Sequence, residues 1–576
     1  MYQKEMAACA LGQKRAPLVL KNAMILNVFT NEWIHGDIAL YEDTILGVGS
    51  YEGEEERDLE GKYVVPGFID AHLHLESTLL NPSQLIHQAL QKGTTTFIVD
   101  PHEAANVAGT EGIQYMIDDA SECDANVYVM MPSCVPSVSF ELNGAVMNAE
   151  QMEPMMKNPH ILGLGEVMDV KSVLDCEPEM MKKLELFKKE GRMMDGHGGN
   201  LSQKDGACYR LAGIRTDHEC TTYEDALREA RNGIQILIRE GTAAKNLEAI
   251  VQGILRDGIP TDMFSFCTDD KHIEDIAANG HISFNIKKAI TLGMRPQEAY
   301  RIASWNTARC YGLDSLGAVA PGYQADLVVL NDPKAVDVCQ VYHKGHLCRG
   351  EEPCSVAVPE KLLDTVHVSW QGPEVFDISM SRGEQPVIHT IPGEILTDFT
   401  LEEVPVKDGK FCPDETYQKI LVFERHHASG IVGKGILKGF SIHGGAIATT
   451  VSHDSHNLIV IGDDDASMNE ALSELIRCKG GYTIVRKGSA PLTQPLEIMG
   501  LMTAMPHKEV AEKLEKMMKL AREMGIPEGI DPFITMSFLA LPVIPKARIT
   551  PRGIYQTENG CWHEIRQESE NERTGY

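Results

Sequence analysis

"PGFIDAHLHLEST", residues 66–78, sets two histidines, an aspartate and a glutamate at the end of an apolar run. A β-strand aims alternate side chains at one face, so His72 and His74, two residues apart, point the same way. Such a pair makes a two-toothed clamp. An isolated H-x-H also caps, stacks or satisfies backbone groups in many folds, so its meaning depends on what else converges on it.

Working outward, short apolar runs alternate with amphipathic stretches between residues 63 and 270. The expected strands are "YVVPGFIDAHLHL", "TTTFIVDPHE", "NVYVMMPSCV", "HILGLGEVMD", "RMMDGHGG", "IRTDHE", "IQILIREGT" and "MFSFCTDD", separated by stretches such as "EPEMMKKLELFKKEG" and "TYEDALREARNG". Strands alternating with helices predict a parallel sheet with crossover helices, and eight such units are what a (β/α)8 TIM-like barrel requires. Thr221 with Glu224 three residues on reads as a capping box that starts the helix after "TDHE".

On either side of this block, "LVLKNAMILNVFTNEWIHGDIALYEDTILGVG" and "GYQADLVVLND" through "VYHKGHLCRG" are alternating runs broken by Asn, Gly and Asp, as in antiparallel strands. They predict one small, discontinuous β-sandwich domain built from two distant pieces. Beyond about residue 375 the composition shifts to Gly-rich segments followed by the helical stretch "HKEVAEKLEKMMKLAREMG", read as a C-terminal α+β domain. The expected division is residues 1–64 for the first part of the small domain, 65–315 for the barrel, 316–374 for its second part and 375–576 for the C-terminal domain.

A chain of 576 residues exceeds one ordinary core, and 43% apolar with 24% charged residues is the balance of a folded protein. Its formal charge of -30 disfavours nucleic acid and anionic membrane faces as partners and suits a small neutral substrate. No apolar run reaches the roughly 18 residues that a membrane span needs. Fourteen cysteines without a C-x-x-C pair, and no leader-like start, predict a reducing, cytoplasmic setting.

In the barrel reading the polar residues fall at the ends of strands, where such barrels build active sites. His72 and His74 end the first strand, Glu166 the fourth, His197 the fifth, His218 the sixth and Asp269 the eighth. One Glu or Asp at a strand end is ordinarily a helix cap or a solvated loop residue. Polar intrusions at five strand ends around one core mouth are costly unless they are used, and imidazoles with carboxylates form the ligand set of a divalent metal.

Taken together, "VVPGFIDAHLHLEST", "GLGEVMD", "DGHGG", "TDHE", "CTDDKH", "ASWNTARCYGL", "GAVAPGYQADLVVL" and the C-terminal "ERHHASG" and "TTVSHDSHNLIVIG" resemble the amidohydrolase superfamily, and within it the adenine deaminases. The first motif and "PGYQADLVVL" are shared across many amidohydrolases, whereas "HLHLES", "GEVMD" and "HDSHN" together are narrower. The resemblance implies adenine plus water giving hypoxanthine plus ammonia. Other deaminases use an H-x-E and P-C-x-x-C zinc signature, which this chain lacks. Within the superfamily the alternative is a hydrolase of a cyclic amide or N-acyl substrate; outside it, a non-catalytic barrel that lost its metal, against which every ligand position is filled.

The resemblance also implies roles. Two-metal relatives bridge their ions with a carboxylated lysine at the fourth strand; the matching residue here is Glu166. A carboxylate spans two cations with its two oxygens, so the implied centre is binuclear. His72, His74 and Asp269 hold one ion, His197 and His218 the other, with Glu166 and a hydroxide between. The metal implied is manganese or iron, with zinc also compatible. Asp269 is the expected proton shuttle, with Asp270 as its rival for the metal, and Glu219 is the candidate second acid or else a carboxylate of a helix's first turn. Glu76, Ser77, His102 and Glu103 either line the purine pocket or support the ligands. His453, Asp454, Ser455, His456 and Asn457 either fold over the barrel mouth or form an ordinary turn, and His426 and His427 are weaker candidates. A homodimer is the expected assembly.

Overall fold

In the computed structural model, which describes residues 4–242, 244–350 and 355–566, the first strands are β1 (Ala16–Asn27), β2 (Glu32–Tyr41), β3 (Thr44–Gly49), β4 (Gly53–Asp58) and β5 (Tyr63–Pro66). β1 pairs with β2 along its length, with an irregularity between Leu20 and Ala23, while its other edge is divided. Ala16 to Lys21 pair with β4, and Met24 and Ile25 with β5.

The chain then runs through the eight expected strands: β6 (Phe68–Leu73), β7 (Thr94–Val99), β8 (Asn126–Met131), β9 (Ile161–Val167), β10 (Met193–Gly196), β11 (Thr216–Asp217), β12 (Gln235–Arg239) and β13 (Phe264–Cys267). β14 (Leu327–Leu330), β15 (Val338–His343) and β16 (His346–Leu347) return to the small sheet, where β14 pairs antiparallel with β5. The two distant pieces thus meet in one sheet ordered β16-β15-β14-β5-β1-β2-β3, with β4 beside β1. The expected sandwich takes the form of a single continuous sheet, around a core that includes Leu20, Ile25, Ile38, Val64, Leu327 and Tyr342.

The barrel strands form two parallel arcs, β10-β9-β8-β7-β6 and β11-β12-β13. Single backbone hydrogen bonds join the arcs: Arg215 N donates to Met194 O at 3.0 Å, and Asp269 N donates to His72 O at 3.0 Å. A Leu73–Asp269 bridge reinforces the second seam. The bond that closes the ring therefore also sets His72 beside Asp269.

The helix after β11 corrects one expectation. It spans Tyr223–Arg231, and its cap is Thr222, whose hydroxyl accepts from Asp225 N at 3.2 Å, in place of Thr221 with Glu224. Both threonines have an acid three residues on, so the motif fits either register. Burial of Tyr223 and Ala226 against the barrel strands selects the later one.

In the C-terminal domain, β17 (Glu384–Thr390) and β18 (Thr397–Glu403) precede a small ribbon of β19 (Val406–Lys407) and β20 (Lys410–Phe411). β21 (Tyr417–Phe423), β22 (Val432–Lys438), β23 (Gly445–Thr449), β24 (Leu458–Gly462), β25 (Gly481–Arg486) and β26 (Leu492–Pro495) complete an eight-stranded sheet ordered β18-β17-β22-β21-β24-β23-β25-β26. Alternation along β21 divides its side chains between two cores. Leu421 and Phe423 pack with the helix Asp465–Arg477. Ile420 and Val422 join a core that also holds Val510, Leu514 and Met517 of the helix His507–Glu523 and, from the barrel side, Leu73, Leu85 and Phe97. One apolar core therefore runs between barrel and C-terminal domain, which fixes the domain over the mouth.

The cap assignment is testable by substitution. Thr222→Ala is expected to destabilise the barrel by about 1 kcal/mol, the usual worth of an N-cap hydroxyl, and Thr221→Ala by less than about 0.5 kcal/mol, as at an uninvolved surface site. Urea unfolding of both variants checks this; a larger effect at Thr221 would restore the earlier register.

Candidate metal centre at the barrel mouth

His72 lies in β6, His74 just beyond it, Glu166 in β9, His197 after β10, His218 after β11, and Asp269 beyond β13. Their side chains meet. His72 Nε2 and His74 Nε2 lie 3.2 Å apart, and Asp269 Oδ1 is 3.8 Å from the first and 3.3 Å from the second. Glu166 stands at the centre: Oε2 is 2.9 Å from His197 Nδ1, 3.0 Å from His218 Nε2 and 3.6 Å from His72 Nε2, and Oε1 is 3.8 Å from His74 Nε2. All are buried except His197, which is half-buried.

Ligands at about 2.0–2.2 Å from one tetrahedral ion lie roughly 3.3–3.6 Å apart, and the separations around His72, His74 and Asp269 are of that scale. Three sets of donor atoms each fall within 4.8 Å of one another: His72, His74 and Glu166; His72, His218 and Asp269; and Glu166, His197 and His218. The imidazole orientation fits a cation as well. His74 Nδ1 is 2.8 Å from the Asp100 carbonyl oxygen, which accepts only, so Nδ1 carries a proton; against the burial that opposes it, Asp269 and Glu166 hold a second proton on Nε2, and a divalent ion would take that proton's place. Two buried Nε2 atoms facing each other among carboxylates leave a place that a divalent ion satisfies, and the residues present fit such an ion.

Burial alone would raise the Glu166 carboxyl, yet His197, His102 and His218 hold it well below its usual range. Asp269 behaves likewise: burial opposes ionisation, but His74 and Arg239 hold the carboxyl well below its ordinary value. Asp269 also takes a left-handed backbone, φ 57°, at the turn where the chain leaves β13.

Asp270, the rival, stays within reach of the centre, its carboxylate forming a donor group with His74 and Asp269 whose atoms lie within 4.8 Å of one another. Its Oδ1 accepts from Ser77 Oγ, and both side chains line a cleft beside the centre. Glu219 lies outside the helix that begins at Tyr223, so it is no first-turn carboxylate. Its Oε1 is 3.6 Å from His218 Nε2 and 3.9 Å from His197 Nδ1, and both its oxygens are engaged by Arg239. Burial would raise Glu219; the Arg239 guanidinium overrides this and holds it below its usual value.

A second layer surrounds these groups. Glu76 Oε1 accepts from Ala104 N at 3.0 Å, and burial together with the nearby Glu103 charge pushes the Glu76 carboxyl up to about 7. His102 Nδ1 lies 3.1 Å from Glu166 Oε1. The C-terminal cluster reaches down to meet this layer, with His453 Nδ1 2.7 Å and His456 Nε2 3.7 Å from the Glu103 carboxylate, and Asp454 Oδ1 3.7 Å from His102 Nε2. Asn457 Nδ2 donates to Leu142 O at 2.9 Å, pinning the segment to a barrel loop. Arg425, wholly buried, donates to the carbonyls of His456 and Met499 and holds it from above. His426 Nε2 lies 2.7 Å from Ser455 O, so that side chain braces the segment, whereas His427 stands outside and faces Glu424.

Between barrel and C-terminal domain lies a narrow cleft, lined by Ser77 and Asp270 from below and by His453, Tyr482, Ser537 and Phe538 from above. Phe538 lies against the His453 ring, centroids 4.7 Å apart, and Tyr482 stacks on Phe533 at 4.1 Å.

Several residues of the site did not emerge from the sequence reading. Arg239 ends β12 and joins Asp269 Oδ2, at 2.8 Å, to Glu219. Asp100 accepts Glu166 N at 2.8 Å and so fixes β9 beside β7. Asp217 accepts from Gly198 N, Gly199 N and Glu219 N, shaping the loops that carry His197 and Glu219. For Arg239 and Asp100 the available signal was a charged residue closing an apolar strand, in "IQILIRE" and "TTTFIVD".

Comparison with known proteins agrees with this arrangement. A family model described as "Amidohydrolase family" matches residues 63–348, and one described as "Adenine deaminase C-terminal domain" matches residues 394–561. The chain is 52% identical to an adenine deaminase of Desulfitobacterium hafniense over 96% of this chain and 97% of that protein. It is 41% identical to one of Clostridium acetobutylicum over 96% and 98% of the two chains, and 40% identical to one of Geobacillus kaustophilus over 95% and 96%. With a relative this similar along nearly its whole length, above a barrel mouth built of these six ligand-type residues, the chain belongs to the adenine deaminase family of amidohydrolases.

Proposed function

We propose that the protein hydrolyses adenine to hypoxanthine and ammonia at a pair of divalent cations bridged by Glu166. The observation that carries the reading is the position of that carboxylate. It belongs to both donor groups at once, with His72 and His74 on one side and His197 and His218 on the other. His72, His74 and Asp269 would hold one ion, His197 and His218 the second. The donor set suits manganese or iron, with zinc compatible. Bound there, two cations would lower the pKa of a shared water toward neutrality and supply a nucleophile at neutral pH.

The chain's own groups then handle protons and position. In the overall change a C6–O bond forms, the C6–N bond to the amino group breaks, and the nitrogen leaves as ammonia after gaining a proton. Asp269 is placed for that transfer: Oδ1 faces the histidines while Arg239 holds Oδ2, so the carboxylate can take a proton from the attacking water and return it to the departing amino group. Glu219 is the second proton-handling candidate. Because Arg239 keeps it ionised, it acts first as an acceptor and serves the ring nitrogen only with a proton collected during the reaction. The purine occupies the cleft, beside Ser77 and Asp270 and under Phe538, where burial against the C-terminal domain excludes water.

The division into residues 1–64, 65–315, 316–374 and 375–576 is kept as part of the proposal, with the last unit serving as a fixed cover for the site. Among the described residues no helix is long and apolar enough to cross a membrane. The free thiols of buried Cys134, Cys220 and Cys267 support a reducing, cytoplasmic setting for purine salvage. A homodimer is the proposed assembly.

Three outcomes test this reading. Metal-free protein is expected to be inert toward adenine and manganese-loaded protein active, with adenosine, cytosine and a cyclic amide as poor substrates; turnover of the amide alone would keep the centre and overturn the purine assignment. Glu166→Gln is expected to lower bound metal by at least one equivalent and turnover by roughly a hundredfold or more, the scale of losing a group that organises transition-state charge; unchanged metal content and rate would sink the bridged pair. Asp269→Asn is expected to depress kcat far more than it raises KM, because its part lies in the transition state; a pure KM effect would contradict that role.

A further inference from the structure

Beside the paired centre, His102, Glu103 and His453 form another group whose donor atoms lie within 4.8 Å of one another, and the chemistry above uses none of them. Glu103 Oε1 is 2.7 Å from His453 Nδ1 and 3.9 Å from His102 Nε2, and Asp454 Oδ1 is 3.7 Å from the same His102 Nε2. The 2.7 Å contact is a direct ion pair that an entering ion would have to open, while the other two lie close to the roughly 3.3–3.6 Å expected between ligands of one tetrahedral ion.

The remaining atoms of these side chains are arranged as the surroundings of a metal would be. His102 Nδ1 sits 3.1 Å from Glu166 Oε1, so a proton on Nδ1 faces that carboxylate and the Nε2 lone pair faces Glu103 and Asp454. Metal-bound histidines commonly use their second nitrogen in this way. His456 plays a different part. Ser452 N donates to its Nδ1 at 3.1 Å, so the proton of the neutral ring is on Nε2, which faces Glu103 Oε2 from 3.7 Å. Asp454 Oδ2 and Glu76 Oε2 have no hydrogen-bond partner, although each side chain's residue is 1% exposed and Glu103 between them is 0% exposed. Buried carboxyls with unsatisfied oxygens call for positive charge among them, which the protonated rings of His102 and His453 supply in the ion-free protein and a bound cation would supply in their place.

We infer that a third divalent cation is held here by His102 Nε2, Glu103, His453 Nδ1 and Asp454, two ligands from the barrel and two from the C-terminal domain. The mixed nitrogen and oxygen donors suit zinc or manganese. Since His453 also lines the cleft, this ion locks one wall of the substrate site and makes the seating of the C-terminal domain depend on metal supply. The inference goes beyond the proposed reaction and assumes nothing about the substrate.

The test is stoichiometry. Chelator-stripped full-length protein is dialysed to equilibrium against manganese, and separately against zinc, and bound metal per chain is measured by mass spectrometry. Three equivalents are expected in the unaltered protein. The near-isosteric Glu103→Gln, and independently His453→Ala, are expected to bind two, and limited proteolysis is expected to cut faster between barrel and C-terminal domain. Two equivalents in the unaltered protein overturn the third site, as do three equivalents retained by both variants. Glu166→Gln, which removes metal from the pair, leaves the third ion in place, so failure of one proposal is distinguishable from failure of the other.

Discussion

The site depends on one buried carboxylate. Glu166 stands within 3.0 Å of nitrogens on His197 and His218 and within 3.8 Å of those on His72 and His74, at a depth where an unshared negative charge would be prohibitive. Four imidazoles from three strand ends converge on it, and its place is set by its own backbone, whose N–H donates to Asp100. Asp100 in turn supplies the carbonyl that orients His74. The cluster is therefore held from beneath by Asp100 at the end of strand β7.

The same economy governs ring closure. The two arcs of the barrel are joined by few hydrogen bonds, and the bond from Asp269 N to His72 O is both a seam of the fold and a constraint on the site. A barrel whose last strand failed to dock would lack Asp269 at His74. Arg239 extends the constraint one strand further by joining Asp269 to Glu219, so the side chains after β11, β12 and β13 form one charged assembly. The C-terminal domain completes it from above through an apolar core shared with the barrel, on which the polar contacts of His453, Asp454 and Asn457 rest.

Much of this was legible in the residues. Alternation announced the strands, and polar residues at the ends of apolar runs announced the side chains that converge at the mouth, because both follow from the two-residue repeat of a strand. The helix cap was misplaced by one residue because two adjacent threonines satisfy the same motif, and only the packing of Tyr223 decides between them. The sandwich resolved into one sheet because β1 is long enough to pair with β4 and β5 in succession. Arg239 and Asp217 escaped notice because a search for metal ligands passes over the groups that hold ligands in place. The cleft was beyond reach of any local pattern: Ser77 and Asp270 meet across 193 positions, and the residues above them come from another domain. The "HDSHN" segment showed its polarity in sequence; its partner Glu103 could be identified only in three dimensions.

The most direct test of the central claim is a crystal structure of manganese-loaded protein with anomalous data at the manganese edge. The account predicts two peaks about 3.5–4 Å apart at the barrel mouth, each within bonding distance of one oxygen of Glu166, with His72, His74 and Asp269 around one and His197 and His218 around the other. A single peak there, or a Glu166 carboxylate turned away from both ions, would contradict it.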